Sequence, residues 1–142
     1  MLCPYCAKET KVLESRLIDD AVRRRRECLD CSNRFTTYEQ AVFQLTVKKK
    51  DNREQPFDAN KITESLKKAC RKSDVTAILD LSKKIEAALL SKKKTILTTK
   101  EIGREVLKEL KRFDKMAYVR YASIHKGIDD PKLLEKELSM LT

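Results

Sequence analysis

Four of the five cysteines form two Cys-x-x-Cys pairs, Cys3 with Cys6 and Cys28 with Cys31. Two such pairs at about this separation are typical of a four-thiolate zinc site, because each pair supplies two tetrahedral ligands from one tight turn. We therefore expect one structural Zn²⁺ per chain, holding together a segment too short to bury its own core. A disulfide framework would need an oxidising compartment, but the sequence starts without a signal-peptide pattern, which predicts a cytoplasmic protein.

The fifth cysteine, Cys70, belongs to a different pattern. It continues an apolar stripe with Ile62, Leu66 and Ala69 at helical spacing. This position predicts a small buried side chain rather than a metal ligand.

The basic residues are distributed unevenly. The net charge is +10, which favours a polyanionic partner. Residues 1–42 hold 8 Lys+Arg and 7 Asp+Glu, whereas residues 43–142 hold 24 and 15. Most lysines of the second segment are typical of a solvated helical surface. Because the first segment carries little net charge, DNA binding by it requires its basic side chains to share one face. The candidate DNA-binding residues are Lys11, Arg16, Arg23, Arg24, Arg25, Arg26 and Arg34.

The order of elements predicts an α+β fold, in which a small β zinc ribbon precedes a mostly helical domain with a small sheet. The 142 residues leave room for one domain of about 100 residues after the ribbon. No apolar run is long enough to cross a membrane, so no membrane partner is expected. Turn residues and capping residues mark the elements of the second segment. We expect strands at 42–47, 53–57 and 95–97, and helices from Asp58 to about Arg71, about Ala77 to Leu90, Thr98 through Phe113, about Lys115 to Lys126, and from Pro131. The apolar stripe of the helix that begins at Thr98 consists of Ile102, Val106, Leu110 and Phe113.

A local pattern in the second segment points to an anion. Three lysines at 48–50 lead into a turn at Asp51-Asn52, and Lys61 lies in the first turn of the following helix. Converging lysines and a helix N-terminus form an anion site. Taken alone, the same pattern is also typical of a solvated charge run.

Longer stretches of the chain together form a recognisable pattern. They are 3–6, 10–12, 15–16, 23–28, 34–39, Val47, 49–51, 56–58, 61–62, Ala69, 102–103 and 114–123. In these stretches the first segment resembles the zinc ribbon, and the second the ATP-cone, of the NrdR family, bacterial repressors of ribonucleotide reductase genes. The similarity covers nearly the whole chain, with the two domains in the same order.

This resemblance implies a DNA-binding domain at 1–42, a regulatory ATP-cone at 43–142 and no enzymatic activity. The ribbon would bind operator repeats in double-stranded promoter DNA. ATP or dATP would act as allosteric ligands of the cone and change the homo-oligomeric state. The family's nucleotide-binding positions correspond here to Val47, Lys49, Lys50, Lys61, Tyr118, Arg120 and His125.

His125, the single histidine, stands where the family has a tyrosine. Its position implies contact with the nucleotide. The alternative is a surface residue at a helix end, where the helix dipole stabilises the protonated form.

Two other classes of function fit parts of the sequence. A protein-interaction zinc ribbon of the transcription or ribosome-assembly machinery would need neither the second domain nor four consecutive arginines. A nucleotide-regulated enzyme would need a large catalytic domain and a set of catalytic side chains, which this sequence lacks.

Overall fold

The computed structural model of the protein describes residues 1–141. Within them the chain forms two compact units, which divide between Phe43 and Gln44. One unit is built from strands and the other combines helices with a small sheet, so the predicted α+β class is confirmed. Among the residues described, no helix has both the length and the apolar character needed to cross a membrane.

The first unit is a three-stranded antiparallel sheet in the order β1-β2-β3. Its strands are β1 Thr10–Ile18, β2 Ala21–Cys28 and β3 Arg34–Gln40. The arginine-rich strand β2 is central and pairs with both neighbours. The buried apolar residues of this unit, within the described chain, are Cys3, Ala21 and Cys28. Because so little apolar surface leaves water, the sheet needs a crosslink to be stable.

The second unit contains a mixed sheet in the order β5-β4-β6, where β4 pairs antiparallel with β5 and parallel with β6. Its strands are β4 Thr46–Lys48, β5 Glu54–Pro56 and β6 Ile96–Thr98. Its helices are α1 Ala59–Ala69, α2 Val75–Leu90, α3 Thr99–Phe113, α4 Lys115–His125 and α5 Pro131–Ser139. Helix α1 packs on α2 and α4, and α3 packs on the same two helices, while α5 packs on α4. Leu66, Ile85 and Leu110 are fully buried in the core between them.

Short-range capping signals place the starts of α1, α3, α4 and α5 where the sequence predicts them. Helix α2 begins at Val75 rather than near Ala77, and its N-cap Asp74 makes no side-chain capping hydrogen bond. The side chains of Asp58, Asp114 and Asp130 each accept a backbone N–H of the first turn that follows. Thr98 and Glu101 form the predicted reciprocal capping box at the start of α3. These starts are predictable because each cap involves residues only two or three positions apart.

Cys70 is 1% exposed, which confirms that it is a buried core residue. Burial raises the pKa of its thiol. Cys70 is also the C-cap of α1, and its N–H donates to the Leu66 carbonyl at 2.7 Å. Helix α1 consequently ends at Ala69 rather than at the predicted Arg71.

Two other local predictions are wrong. The strand expected at 42–47 begins only at Thr46, because Val42 and Phe43 lie exposed ahead of the point where β5 and β6 pair with β4. Phe113, expected on the buried stripe of α3, is exposed at the last position of that helix. In both cases the apolar residues continue to or past the end of the strand or helix, where no neighbouring element of the described chain buries them.

Candidate functional sites

The two cysteine pairs meet at one end of the ribbon. Their four Sγ atoms all lie within 4.8 Å of one another. Cys3 Sγ is 3.7 Å from Cys31 Sγ, and Cys6 Sγ is 3.4 Å from Cys28 Sγ. A disulfide would need about 2.05 Å, whereas tetrahedral Zn–S bonds of about 2.3 Å place the sulfurs roughly 3.8 Å apart. The four residues therefore fit a zinc ion.

Backbone N–H groups point at these sulfurs. The N–H of Tyr5 donates to Cys3 Sγ and that of Asp30 to Cys28 Sγ, each at 3.4 Å. The backbone amide of Asn33 lowers the pKa of the Cys31 thiol to about 6, whereas burial and the neighbouring thiols raise the pKa of Cys6 to about 12. Hydrogen bonds to sulfur favour the thiolate, which is the form that binds a metal.

The two turns that carry the pairs are built alike. Cys3 N–H donates to the Lys8 carbonyl at 2.8 Å, and Cys28 N–H donates to the Asn33 carbonyl at 3.0 Å. Ala7 and Ser32, each directly after the second cysteine of its pair, have φ of 61° and 60°. This left-handed conformation turns the chain so that both thiols of a pair face the same point.

The four consecutive arginines of β2 do not share a face. Successive side chains of a strand point to opposite sides of the sheet, so Arg23 and Arg25 lie on one side and Arg24 and Arg26 on the other. The condition that the ribbon's basic side chains all share one face is therefore not met, because a strand has a two-residue period.

The side of Arg23 and Arg25, which we call the first face, holds most of the predicted DNA-binding residues. Residues directly opposed across paired strands share a face. The registers assign to it the basic residues Lys11, Arg16, Arg23, Arg25 and Arg34. Glu27, on this same face, forms ion pairs with Arg34 at 2.8 Å and with Lys11 at 3.2 Å. These two cations lower the pKa of Glu27.

The opposite side, the second face, uses its arginines within the sheet. Arg24 forms an ion pair with Glu39 of β3. Arg26 donates to Thr37 Oγ1 at 3.3 Å and to Thr10 Oγ1 at 3.5 Å. Both arginines therefore connect β2 to a neighbouring strand.

In the second unit, a cavity of about 260 Å³ lies against the β4–β5 hairpin and the helices α1, α3 and α4. Four of the predicted nucleotide positions line it, namely Val47, Lys49, Lys61 and His125. Thr99, the first residue of α3, lines it too, and Lys61 lies in the first turn of α1. Free N–H groups at helix starts attract anions, so two helix starts and two lysines favour a phosphate-bearing ligand here.

A second cavity of about 430 Å³ adjoins the first and shares Lys49, Thr99 and His125 with it. Lys50 lines this second cavity. The hairpin turn brings both lysines to it, since Asn52 adopts φ of 66° and donates its N–H to the Lys49 carbonyl at 3.0 Å. The predicted tight turn at Asp51-Asn52 is therefore confirmed.

Tyr118 and Arg120 lie outside these two cavities. Tyr118 is 8% exposed, and its hydroxyl donates to Glu137 Oε2 at 3.1 Å. The other oxygen of that carboxylate accepts from Lys126 Nζ at 2.6 Å. Arg120 Nη1 donates to the Ala69 carbonyl at 2.8 Å and lines a third cavity, of about 910 Å³. Their contact with a nucleotide remains a prediction.

His125 lines all three of these cavities. Its ring stacks on Tyr121, with centroids 5.7 Å apart and planes inclined by 25°. On the other side lies Gly103 of α3, where a methyl group would overlap the imidazole. Burial, with Lys50 and Lys126 nearby, lowers the pKa of His125. His125 therefore differs from the alternative of an exposed helix-end histidine held protonated by the dipole.

Sequence reasoning missed Tyr121, which lines the 260 Å³ and 910 Å³ cavities. Tyr118 and Tyr121 lie three positions apart on α4 and carry the same chemistry. The sequence did contain a signal for Tyr121. It lies four residues before His125, and residues at this spacing are neighbours on the surface of a helix.

The comparisons with known proteins agree with this arrangement. Residues 1–39 match the family model of the NrdR-like transcriptional repressor N-terminal domain, and residues 45–130 match that of the ATP cone domain. A protein of Finegoldia magna named "Transcriptional repressor NrdR" is 43% identical, covering 99% of this chain and 98% of that protein.

Proteins of the same name are similar over comparable lengths. The one from Kosmotoga olearia is 44% identical over 92% of this chain and 86% of its own length. The one from Carboxydothermus hydrogenoformans is 41% identical over 99% of this chain and 96% of its own length. With both domain models matched in order, the chain belongs to the NrdR family.

Proposed function

We propose that the protein is a nucleotide-sensing transcriptional repressor of ribonucleotide reductase genes. Residues 1–42 bind operator DNA, residues 43–142 bind ATP or dATP, and the nucleotide sets the homo-oligomeric state without any catalysed reaction. The observation that carries the proposal is the combination in one chain of a four-thiolate cluster beside a basic sheet face and a lysine-lined cavity at two helix starts.

In this proposal Cys3, Cys6, Cys28 and Cys31 hold the metal. Bound Zn²⁺ supplies a structural crosslink between the two turns, and four thiolates leave no open coordination position. The crosslink joins the segment before β1 to the end of β2, the strand that carries the four consecutive arginines. DNA binding therefore depends on zinc through the fold of the ribbon.

The first face contacts the DNA. Five basic side chains lie there, and ion pairs join Arg16 to Glu14 and both Lys11 and Arg34 to Glu27. Within residues 1–141, Arg23 and Arg25 form no ion pair, whereas Arg24 and Arg26 on the second face are engaged by Glu39 and threonine hydroxyls. One ribbon offers less surface than a specific protein–DNA interface usually buries. Several ribbons in one oligomer would add avidity, which makes repression depend on assembly.

In the cone, Lys49, Lys50 and Lys61 bind the phosphates and Tyr121 lies against the base or sugar. ATP and dATP differ by one 2′-hydroxyl. A buried polar group that gains or loses its partner at that hydroxyl changes binding by roughly 1–3 kcal/mol. A difference of this size is sufficient to shift an allosteric equilibrium between oligomers.

The test is fluorescence anisotropy with a labelled duplex from a ribonucleotide reductase promoter, recorded for protein without nucleotide, with ATP and with dATP. Light scattering on the same samples measures oligomer mass. We expect both mass and DNA affinity to depend on the nucleotide. One mass and one affinity in all three samples would refute the sensor.

Variants assign the surfaces. Replacing Arg23 and Arg25 by alanine should reduce the slope of log K against log[salt] by about 2, because two phosphate contacts are lost. The double variant Arg24→Ala with Arg26→Ala is the matched control. It should lower the stability of the ribbon and leave the salt slope nearly unchanged. The reverse result would assign DNA binding to the second face.

For the nucleotide, Lys61→Ala should weaken ATP binding about ten-fold, as expected for one lost lysine–phosphate contact. Lys108→Ala, on the exposed side of α3, is the matched control and should leave binding unchanged. Equal affinities in the two variants would contradict the proposed phosphate site.

A further inference from the structure

His125 is the meeting point of the two lysine-lined cavities. It is held between the Tyr121 ring and the α3 backbone at Gly103, so its position is determined by packing on both sides. The ring borders both cavities, of which one is lined by Lys49 and Lys61 and the other by Lys49 and Lys50.

The charged groups around this ring are mostly cationic. The hairpin contributes Lys49, Lys50 and Arg53 together with the carboxylate of Asp51. Helix α1 contributes Lys61 and the capping carboxylate of Asp58. In the 910 Å³ cavity, which His125 also lines, the charged groups are Lys67, Lys68, Arg71 and Arg120. Helix α4 contributes the adjacent Lys126 and the neutral phenol of Tyr121, and α3 contributes the uncharged Thr99 and Gly103. With no anion bound, this surrounding disfavours an imidazolium.

We propose that His125 contacts the phosphate chain of the bound nucleotide as an imidazolium, so that nucleotide binding takes up a proton. The inference rests on the proposed nucleotide function of the cone and adds a pH dependence to it. A triphosphate placed among the three lysines neutralises the repulsion from Lys50 and provides an acceptor for the ring N–H. The ring, whose charged form the surrounding cations disfavour in the free protein, is then charged when the ligand binds.

The sign of the linkage follows directly. The pKa of His125 is lowered in the free protein, and a bound anion raises it. Between the two pKa values, the complex binds more protons than its free components, and affinity therefore rises as the pH falls. Each unit by which the ligand raises the pKa corresponds to a ten-fold change in affinity between the two limiting pH values.

The experiment is isothermal titration calorimetry of the full-length protein with ATP and dATP in buffers of different ionisation enthalpy. Measurements run from about pH 8 to about pH 6, the range in which histidine titrates. The dependence of the observed heat on buffer enthalpy gives the number of protons taken up. We expect a substantial fraction of one proton per nucleotide, and an affinity that rises about three- to ten-fold more in the wild type than in His125→Phe.

His125→Phe is the matched control because it keeps an aromatic ring between Tyr121 and Gly103 but cannot titrate. Subtracting its pH profile also removes the protonation of the nucleotide's own terminal phosphate, which titrates near pH 6. His125→Gln, which keeps a hydrogen-bond donor without titration, should resemble the phenylalanine variant in proton uptake. Adenosine, which lacks phosphates, should show no uptake in any of the three proteins.

The outcomes separate the two proposals. If neither ATP nor dATP binds the wild type, the proposed nucleotide function is wrong and the inference with it. If both nucleotides bind but proton uptake is the same in wild type and His125→Phe, the nucleotide function stands and the inference about His125 is overturned.

Discussion

The Tyr118 hydroxyl offers a sharp test of how the cone is held together. The resemblance implies that Tyr118 contacts the nucleotide, whereas in the structure its hydroxyl donates to Glu137 of α5 at 3.1 Å. We therefore expect Tyr118→Phe to destabilise the second unit and to leave the affinity for nucleotide unchanged.

The magnitude follows from the burial of the partners. Glu137 is 9% exposed and keeps its ion pair with Lys126 at 2.6 Å when the hydroxyl is removed. That lysine, aided by the Tyr118 hydroxyl, lowers the pKa of Glu137, so the carboxylate is charged at neutral pH. A hydrogen bond to a charged group is worth about 1.5–3 kcal/mol. Because Lys126 remains, we take the lower end, a loss of about 1.5–2 kcal/mol in the free energy of unfolding.

The assay is thermal unfolding of the full-length protein, followed by circular dichroism at a helix-sensitive wavelength. For a domain of about 100 residues, a loss of this size lowers Tm by roughly 6–16 °C. Tyr121→Phe is the matched control, because the Tyr121 hydroxyl has no hydrogen-bond partner among residues 1–141. Its unfolding free energy should change by less than about 0.5 kcal/mol.

The destabilisation should also depend on pH. Since the pKa of Glu137 is lowered in the folded protein, its contribution is present above the unfolded pKa and is lost as the pH falls through the folded value. The difference in Tm between wild type and Tyr118→Phe should therefore shrink in acid. An unchanged Tm combined with a ten-fold weaker nucleotide affinity would refute the structural role of Tyr118.

Four further outcomes test other parts of the structure. Removing zinc with a chelator should unfold the ribbon and abolish DNA binding while the helical signal of the cone persists, as spectroscopy and anisotropy would show. Ala7→Gly should raise ribbon stability by about 0.5–1 kcal/mol, as measured by denaturant unfolding of the zinc-loaded protein. Glycine removes the steric strain of a left-handed alanine, and this gain exceeds the entropy that glycine adds to the unfolded chain. Thr98→Ala should cost about 1 kcal/mol of cone stability through loss of the cap on α3, and no loss in denaturant unfolding would contradict the capping box. Lys94→Ala should flatten the acid unfolding curve between about pH 4.5 and pH 2, because Lys94 lowers the pKa of Glu101 to about 2 and that stabilisation disappears as the carboxylate is protonated.

The sequence by itself determined the features that depend on short separations along the chain. The spacing within each cysteine pair identified the metal-binding turns, and Asp58, Thr98 and Asp114 marked helix starts, because a cap and its partner are only two or three residues apart. The stripe that includes Cys70 identified a buried helix face for the same reason. Resemblance over nearly the whole chain added the family, to which both units belong.

Only the tertiary structure decided how distant residues meet. Strand pairing assigned the arginines to two faces, since the register between β1, β2 and β3 is a contact between separate segments. Packing of α4 against α1, α3 and α5 turned Tyr118 toward Glu137 and Tyr121 toward the cavity, although both are tyrosines of one helix. The close approach of Gly103 to His125 likewise depends on how α3 packs on α4. The sequence of α3 shows that a glycine leaves space, but it does not show that His125 of α4 fills this space.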